Sequence, residues 1–345
     1  MHGGDIYRNS IQFDFSVNLN PLGVPPEVQW VLTEAGLHAN KYPDLLHERL
    51  LAETSKIFSA PNDTIVYGNG ASEIIMAICH GINPSKVMLT APSFLGYSNC
   101  IKSALPKCKI IYNNLLEEND FAVYHNIIEQ IVVEKPKLLF LTNPNNPNGL
   151  LVDKDLMEDI VNTCEKCGTI LVVDECFLPL TGLDRQLSLA YSMKHRKSLI
   201  VLRAFTKTFA IPGVRVGYAI CSKPSIAEAI RNHLPEWNIS IFGQMAAAEC
   251  LKHLEYVDEA AKIINDERKF LTDKLSGLGF KAYPSDANFI LFKAKSEDLH
   301  LRLLEYSILI RDCSDYDGLG HGFYRIAIKL HNENEGLLSA LGDLN

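Results

Sequence analysis

Between about residues 65 and 220, short apolar runs alternate with longer stretches whose apolar positions recur at helical spacing. Residues 86–90, 137–142, 169–173, 198–202 and 215–220 read as strands. Several are unbroken series of Val, Ile and Leu, as in strands covered on both faces of a mainly parallel sheet. Residues 72–80 and 153–167 carry the amphipathic spacing of helices. This rhythm predicts an α/β architecture with crossover connections. Beyond Pro235 the pattern changes. One long helical stretch, 242–277, precedes shorter strands at 281–283, 288–293, 308–311 and 324–328. The expected organisation is an N-terminal segment (1–28), a large domain (29–248) and a small α+β domain (249–345), with the two domains sharing the long helix.

Composition narrows the classes. The chain has 345 residues, 47% hydrophobic and 21% charged, which suffices for a large core and a second lobe. A net charge of −8 argues against nucleic acid or an anionic membrane as the main partner. Any anionic ligand must then be held by a few positioned cations. Met1-His2-Gly3-Gly4-Asp5 lacks the charged and apolar regions of a signal peptide. No apolar run approaches the roughly 20 residues that span a bilayer. Nine scattered cysteines, an odd number, suit reduced thiols in the cytoplasm better than a disulfide framework. Cys164-Glu165-Lys166-Cys167 is a lone CxxC, and a structural zinc needs four ligands, so no metal is expected.

Four features then fall in chain order at strand ends or helix starts. Tyr67-Gly68-Asn69-Gly70-Ala71-Ser72-Glu73 runs into a helix, where glycine and free amides suit a phosphate at Gly70, Ala71 and Ser72. Taken alone, a simple turn capped by Ser72 or Asn69 is the better reading. Thr142-Asn143-Pro144-Asn145-Asn146-Pro147-Asn148-Gly149 forms a rigid turn able to present an asparagine amide to a ligand oxygen. Leu171-Val172-Val173-Asp174-Glu175 ends an apolar strand with a carboxylate, which is costly there unless it meets a cation. Last, Lys207 lies between two core strands with Arg215 eight residues on. Desolvation and nearby cations lower an ammonium pKa, which suits an amine that attacks a carbonyl. Alone, Lys207 reads more simply as a strand-end lysine reaching solvent. Together, the four are the parts that hold pyridoxal phosphate: a phosphate cradle, a turn asparagine, an acid that keeps the ring nitrogen protonated, and an amine for the aldehyde carbon.

On these motifs, and over nearly its whole length, the chain resembles the fold-type I pyridoxal-phosphate enzymes. Within them it is closest in pattern to the branch containing histidinol-phosphate aminotransferases and the threonine-phosphate decarboxylases of cobalamin synthesis. The resemblance implies a large domain with a mainly parallel, seven-stranded sheet and a small α+β C-terminal domain. It implies that Lys207 bonds the cofactor aldehyde, Asp174 partners the pyridinium and Asn146 bonds the ring 3-hydroxyl oxygen. Gly70, Ala71, Ser72 and Arg215 would hold the cofactor phosphate, with Thr206 beside them. Phe94, in Ala91-Pro92-Ser93-Phe94-Leu95-Gly96-Tyr97, would stack on the ring. Tyr42, in Lys41-Tyr42-Pro43-Asp44, matches a tyrosine that reaches the phosphate in the partner subunit, which implies a homodimer with shared sites. Two positions depart from the pattern. Ala204 stands where a Ser or Thr phosphate ligand is usual, and Thr206 or Ser72 would compensate. Phe177 stands where many aminotransferases carry a tyrosine, and phenylalanine is what the similar decarboxylases carry.

Three further segments resemble the decarboxylases. His2-Gly3-Gly4-Asp5 matches a His-Gly-Gly-Asn opening, Asp14 through Gly23 matches DFSANINPLG, and Ile308 through Leu319 matches ILIRSCANYPGL. The first is short enough to be a frayed terminus. Arg311 and Arg325 lie on successive strands of the small domain, and arginine offers a planar fork to carboxylate or phosphate. The alternative is a pair of solvent-facing strand arginines. The bond perpendicular to the cofactor ring is the one that breaks. If Arg311, Arg325 and His2, with Gly3 beside it, take the substrate's phosphate, the carboxylate is free to leave. The expected activity is decarboxylation of O-phospho-L-threonine, a small phosphorylated substrate. O-phospho-L-serine decarboxylation and histidinol-phosphate transamination are the alternatives in chemistry, and a non-catalytic binding module is the alternative in class.

Overall fold

The computed structural model describes residues 3–344. Strand β1 (Phe13–Asp14) opens the chain, followed by β2 (Ile65–Gly68), β3 (Lys86–Ala91), β4 (Lys109–Asn114), β5 (Leu138–Thr142), β6 (Ile170–Asp174), β7 (Leu199–Ala204) and β8 (Gly217–Cys221). β2 to β8 form one seven-stranded sheet in the order β2-β8-β7-β6-β5-β3-β4, parallel except for β8, which runs antiparallel to both neighbours. Alternation along the central strands divides their apolar side chains between two layers. Leu139, Leu141, Leu171, Val173, Leu199 and Val201 pack into one, and Leu138, Phe140, Val172, Ile200 and Leu202 into the other. Helices Gly70–Ile82 and Lys154–Cys167 fall where the amphipathic spacing places them.

A second sheet, β12-β13-β10-β9, is built from β9 (Lys281–Ala282), β10 (Phe289–Lys293), β12 (Arg311–Asp312) and β13 (Phe323–Ala327). β11 (Ile308–Leu309) instead pairs in parallel with β1. The N-terminal segment is thereby tied to the small sheet. Phe15 N–H donates to Leu309 O (2.8 Å), and Ala327 N–H donates to Phe15 O (2.8 Å). The same segment reaches the other lobe, where Asn20 N–H donates to Lys207 O (3.0 Å).

Three expectations are corrected. The single helix expected over 242–277 is two, Ile241–Cys250 and Leu254–Gly277, because His253 leaves helical geometry (φ −116°, ψ 47°). The two pieces have different partners: the first packs on helix Pro26–Ala35, and the second on the turn Leu178–Thr181 and on helix His331–Leu344. The strand expected over 308–311 is split at Ile310, since β11 and β12 belong to different sheets. β2 and β4 were not among the expected strands. β4 is an edge strand, only half buried, and so lacks an unbroken apolar run. Among the described residues, no helix is long and apolar enough to cross a membrane.

Candidate active site

Parallel register lines up the C-terminal ends of the central strands, with Thr142 beside Asp174 and Asp174 beside Leu202. At that edge, where open α/β sheets bind ligands, lies a cavity of about 270 Å³. Lys207, Asp174, Asn146, Phe94, Ala71, Ser72, Thr206 and Arg215 line it from the large lobe; Arg311 and Arg325 enter from the small sheet, and Gly3 from the N-terminal segment. A larger cavity, about 390 Å³, shares only Ala204 with it among the described residues. Of the two arginines that line it, Arg203 is already paired with Glu175 and Asp184.

Lys207 lies in the short helix Phe205–Thr208 that follows β7. Burial, aided by the charges of Arg325 and Arg215, lowers its ammonium to about 8, against opposing contributions from Cys176 and Asp14. It is therefore enclosed and partly neutral, unlike a strand-end lysine reaching solvent. Asp174 ends β6, and burial pushes its carboxyl up. Three donors oppose that: the Tyr97 hydroxyl (2.6 Å), the Cys176 backbone N–H (3.0 Å) and the Cys176 thiol. Tyr97 is fixed in turn by Thr142 Oγ1 (3.0 Å), by stacking on Phe140 (4.9 Å) and by edge contact with Phe94 (5.4 Å). One buried tyrosine thus joins the acid to the aromatic expected to stack on the cofactor.

The turn before helix Gly70–Ile82 is not a simple capped turn. Asn69 makes no side-chain cap, and its own N–H donates to Glu73 Oε2 (2.7 Å). Among the described residues, the first amides of the helix therefore meet no side-chain acceptor. Gly70 has φ +76°, and a Cβ there would lie 2.7 Å from Arg215 Nη2, so glycine is what lets the guanidinium sit over these amides. Arg215 itself adopts a left-handed conformation (φ 58°) just outside β8. Ala204 lines the cavity as expected and brings no hydroxyl, whereas Thr206 and Ser72 bring theirs.

Arg311 and Arg325 are register partners on β12 and β13 and are 4% and 6% exposed, which removes the reading of solvent-facing arginines. Arg325 donates from Nη1 to Asn146 Oδ1 and from Nη2 to Ser16 O (2.9 Å), with its guanidinium over Phe289 (5.3 Å). Asn146 Oδ1 also accepts from the Tyr316 hydroxyl (3.5 Å), which leaves the asparagine NH2 group as a donor for a ligand. Phe177 lines the cavity with its ring edge-on to Phe289 (5.1 Å). Gly3 lies against Ser16, whose carbonyl oxygen would be 2.4 Å from any Cβ at that position. His2 falls outside the described residues. Tyr42 is not brought to this cavity; it is 78% exposed and packs on Trp237 (4.8 Å).

Sequence reasoning missed Tyr97, Thr142, Cys176, Tyr316 and Asn18, all at the cavity or bonded to its residues. Tyr97 lies on the helix that Phe94 precedes and reads in the sequence as one more core aromatic. Sequence reasoning also missed the three-residue ion cluster behind the site. Arg203 Nη2 bonds Glu175 Oε2 (2.7 Å) and Asp184 Oδ1 (2.5 Å), which ties the end of β6 to β7. Two buried cations, a cation-capped helix start, a partly neutral lysine and a multiply held acid fit a phosphorylated pyridine aldehyde: the phosphate at Gly70 to Ser72 with Arg215, the ring nitrogen at Asp174, the aldehyde at Lys207.

The model of the aminotransferase class I and II family matches residues 10–341. The threonine-phosphate decarboxylase of Salmonella typhimurium is 31% identical, over 99% of this chain and 95% of its own length. The histidinol-phosphate aminotransferase of Caldanaerobacter subterraneus is 34% identical, over 96% and 93%. Among solved structures, the histidinol-phosphate aminotransferase of Clostridium acetobutylicum superposes with a TM-score of 0.88 at 32% identity, covering 96% of this chain and 98% of that one.

Proposed function

Because the chain belongs to the aminotransferase class I and II family, whose enzymes work with pyridoxal phosphate, we propose that it decarboxylates O-phospho-L-threonine to (R)-1-amino-2-propanol phosphate and carbon dioxide. That product would serve the nucleotide loop of a cobamide. The observation that carries the reading is the adjacent, buried pair Arg311 and Arg325 in the cavity that holds Lys207. Two adjacent guanidiniums suit the dianionic phosphate of a small substrate. The choice of bond rests on the segments Asp14 through Gly23 and Ile308 through Leu319, on Phe177, and on full-length likeness to a threonine-phosphate decarboxylase.

In this reading Arg311, Arg325 and His2 would bind the phosphate, with Gly3 beside them, and Asn146 would bond the ring hydroxyl oxygen. The carboxylate would then be left unclamped by either arginine. Pyridoxal phosphate, when bound, supplies the sink for the electrons of the breaking bond. Asp174, held by Tyr97 and Cys176, would partner the protonated ring nitrogen. The bond from Cα to the carboxylate breaks, carbon dioxide leaves, and Lys207 delivers a proton to Cα. The reading also makes the protein a cytoplasmic homodimer in which Tyr42 reaches the partner's site. The exposure of Tyr42 and the nine free thiols support that arrangement. It keeps the division into 1–28, 29–248 and 249–345.

The test is carbon dioxide release from carboxyl-labelled O-phospho-L-threonine, with O-phospho-L-serine and L-threonine alongside. Phosphothreonine should be favoured over phosphoserine by about 10- to 100-fold in kcat/KM, the value of one buried methyl. L-Threonine should be nearly inert. Equal turnover of threonine and phosphothreonine would remove the phosphate from the reading.

A further inference from the structure

We propose that Asp315 sets how strongly the site grips a phosphate, by fixing Arg311 while cancelling part of its charge. The inference rests on Arg311 being a phosphate ligand, as read above. Arg311 Nη2 donates to both carboxylate oxygens of Asp315, at 2.8 and 3.0 Å. The guanidinium also lies over the Tyr316 ring, 5.2 Å from its centroid. Arg311 lines the cavity and Asp315 does not; its side chain is 38% exposed. A ligand therefore meets the arginine, with the acid bonded to it from outside the cavity lining. Asp315 is a positioning residue.

Its role differs from those of the other acids in the same loop. Asp312 accepts from Ser314 N–H (3.0 Å) and from the Ser314 hydroxyl (2.7 Å), and Asp317 bonds Tyr112. Arg325, the register partner, is held by the neutral oxygens of Asn146 and Ser16. Of the two adjacent cations, one is held by amide oxygens and keeps its full field, and the other is held by a carboxylate that offsets it. A carboxylate and an amide both accept from Nη2, but only the carboxylate subtracts charge. Since the product keeps the substrate's phosphate, a softened grip favours its release.

The two contributions separate by substitution. Asp315→Asn keeps an acceptor on Arg311 and removes the charge, so phosphate should bind more tightly. For a half-exposed charge a few ångströms behind the ligand, the gain is about 3- to 10-fold. Asp315→Ala removes the acceptor too, so phosphate should bind less tightly than in Asp315→Asn. The experiment titrates inorganic phosphate into the holoenzyme, where the cofactor fills its own cradle, for wild type, both variants and Arg311→Ala. KM, kcat and product inhibition with O-phospho-L-threonine are measured in parallel. For Asp315→Asn the expected result is a lower Kd for phosphate, a lower KM, stronger product inhibition and no rise in kcat. Phosphate binding by Asp315→Asn at wild-type strength or weaker would overturn the inference. If Arg311→Ala binds phosphate as wild type does, the reading of Arg311 itself has failed, a different result.

Discussion

Lys207 gives a prediction whose size follows from its surroundings. An ordinary lysine at 10.5 is almost wholly protonated at pH 7 and cannot attack an aldehyde. Burial, then Arg325 and Arg215, bring Lys207 to about 8, which raises the neutral fraction at pH 7 about 300-fold. The cofactor-free protein should therefore take up pyridoxal phosphate with a rate that climbs about tenfold per pH unit and levels off near pH 8. Arg325→Gln removes the second-largest cause and should move the break to higher pH. Stability follows the same group. The unfolded chain holds this proton up to about 10.5 and the folded chain releases it near 8, so stability should rise with pH across that window. Below it, the buried ammonium costs about 3 kcal/mol. Stopped-flow absorbance from pH 6 to 10 reads the uptake. A rate still climbing log-linearly through pH 9.5, with no break, would mean that Lys207 titrates as an ordinary lysine.

Lys207→Ala should abolish turnover while leaving far-UV circular dichroism and the thermal transition nearly intact, because it removes the amine rather than a packing element. Asp174→Asn should retain cofactor and lose activity mainly in kcat. Tyr97→Phe removes a 2.6 Å donor from Asp174, and should lower kcat about tenfold with little change in KM. Arg203→Met strands Glu175, which is 0% exposed. It should cost about 3–5 kcal/mol of stability in denaturant unfolding, with part recovered by adding Glu175→Gln.

What the sequence made legible was periodic or ordered along the chain. Central strands such as β5 and β6 are unbroken apolar runs, and the cradle, turn asparagine, acid and lysine fall in one order at their ends. What it hid depends on pairing in space. β4 is an edge strand without a full apolar run, and the break at His253 arises because the two helices on either side pack on different partners. Tyr97 reads locally as one more core aromatic. Its role appears only when β5 and β6 align and put Thr142 and Asp174 within reach of its hydroxyl. The Arg311–Asp315 pair spans four residues, but nothing in their spacing says that the arginine faces a cavity and the acid does not.

The central claim is that the bond broken is the one to the carboxylate, and a single reaction tests it. Purified holoenzyme is incubated with O-phospho-L-threonine, with and without 2-oxoglutarate, and carbon dioxide, aminopropanol phosphate and glutamate are quantified. Equal amounts of carbon dioxide and aminopropanol phosphate are expected in both mixtures, with no glutamate. Glutamate formed in step with substrate loss, only when 2-oxoglutarate is present and without carbon dioxide, would contradict it and make the protein an aminotransferase.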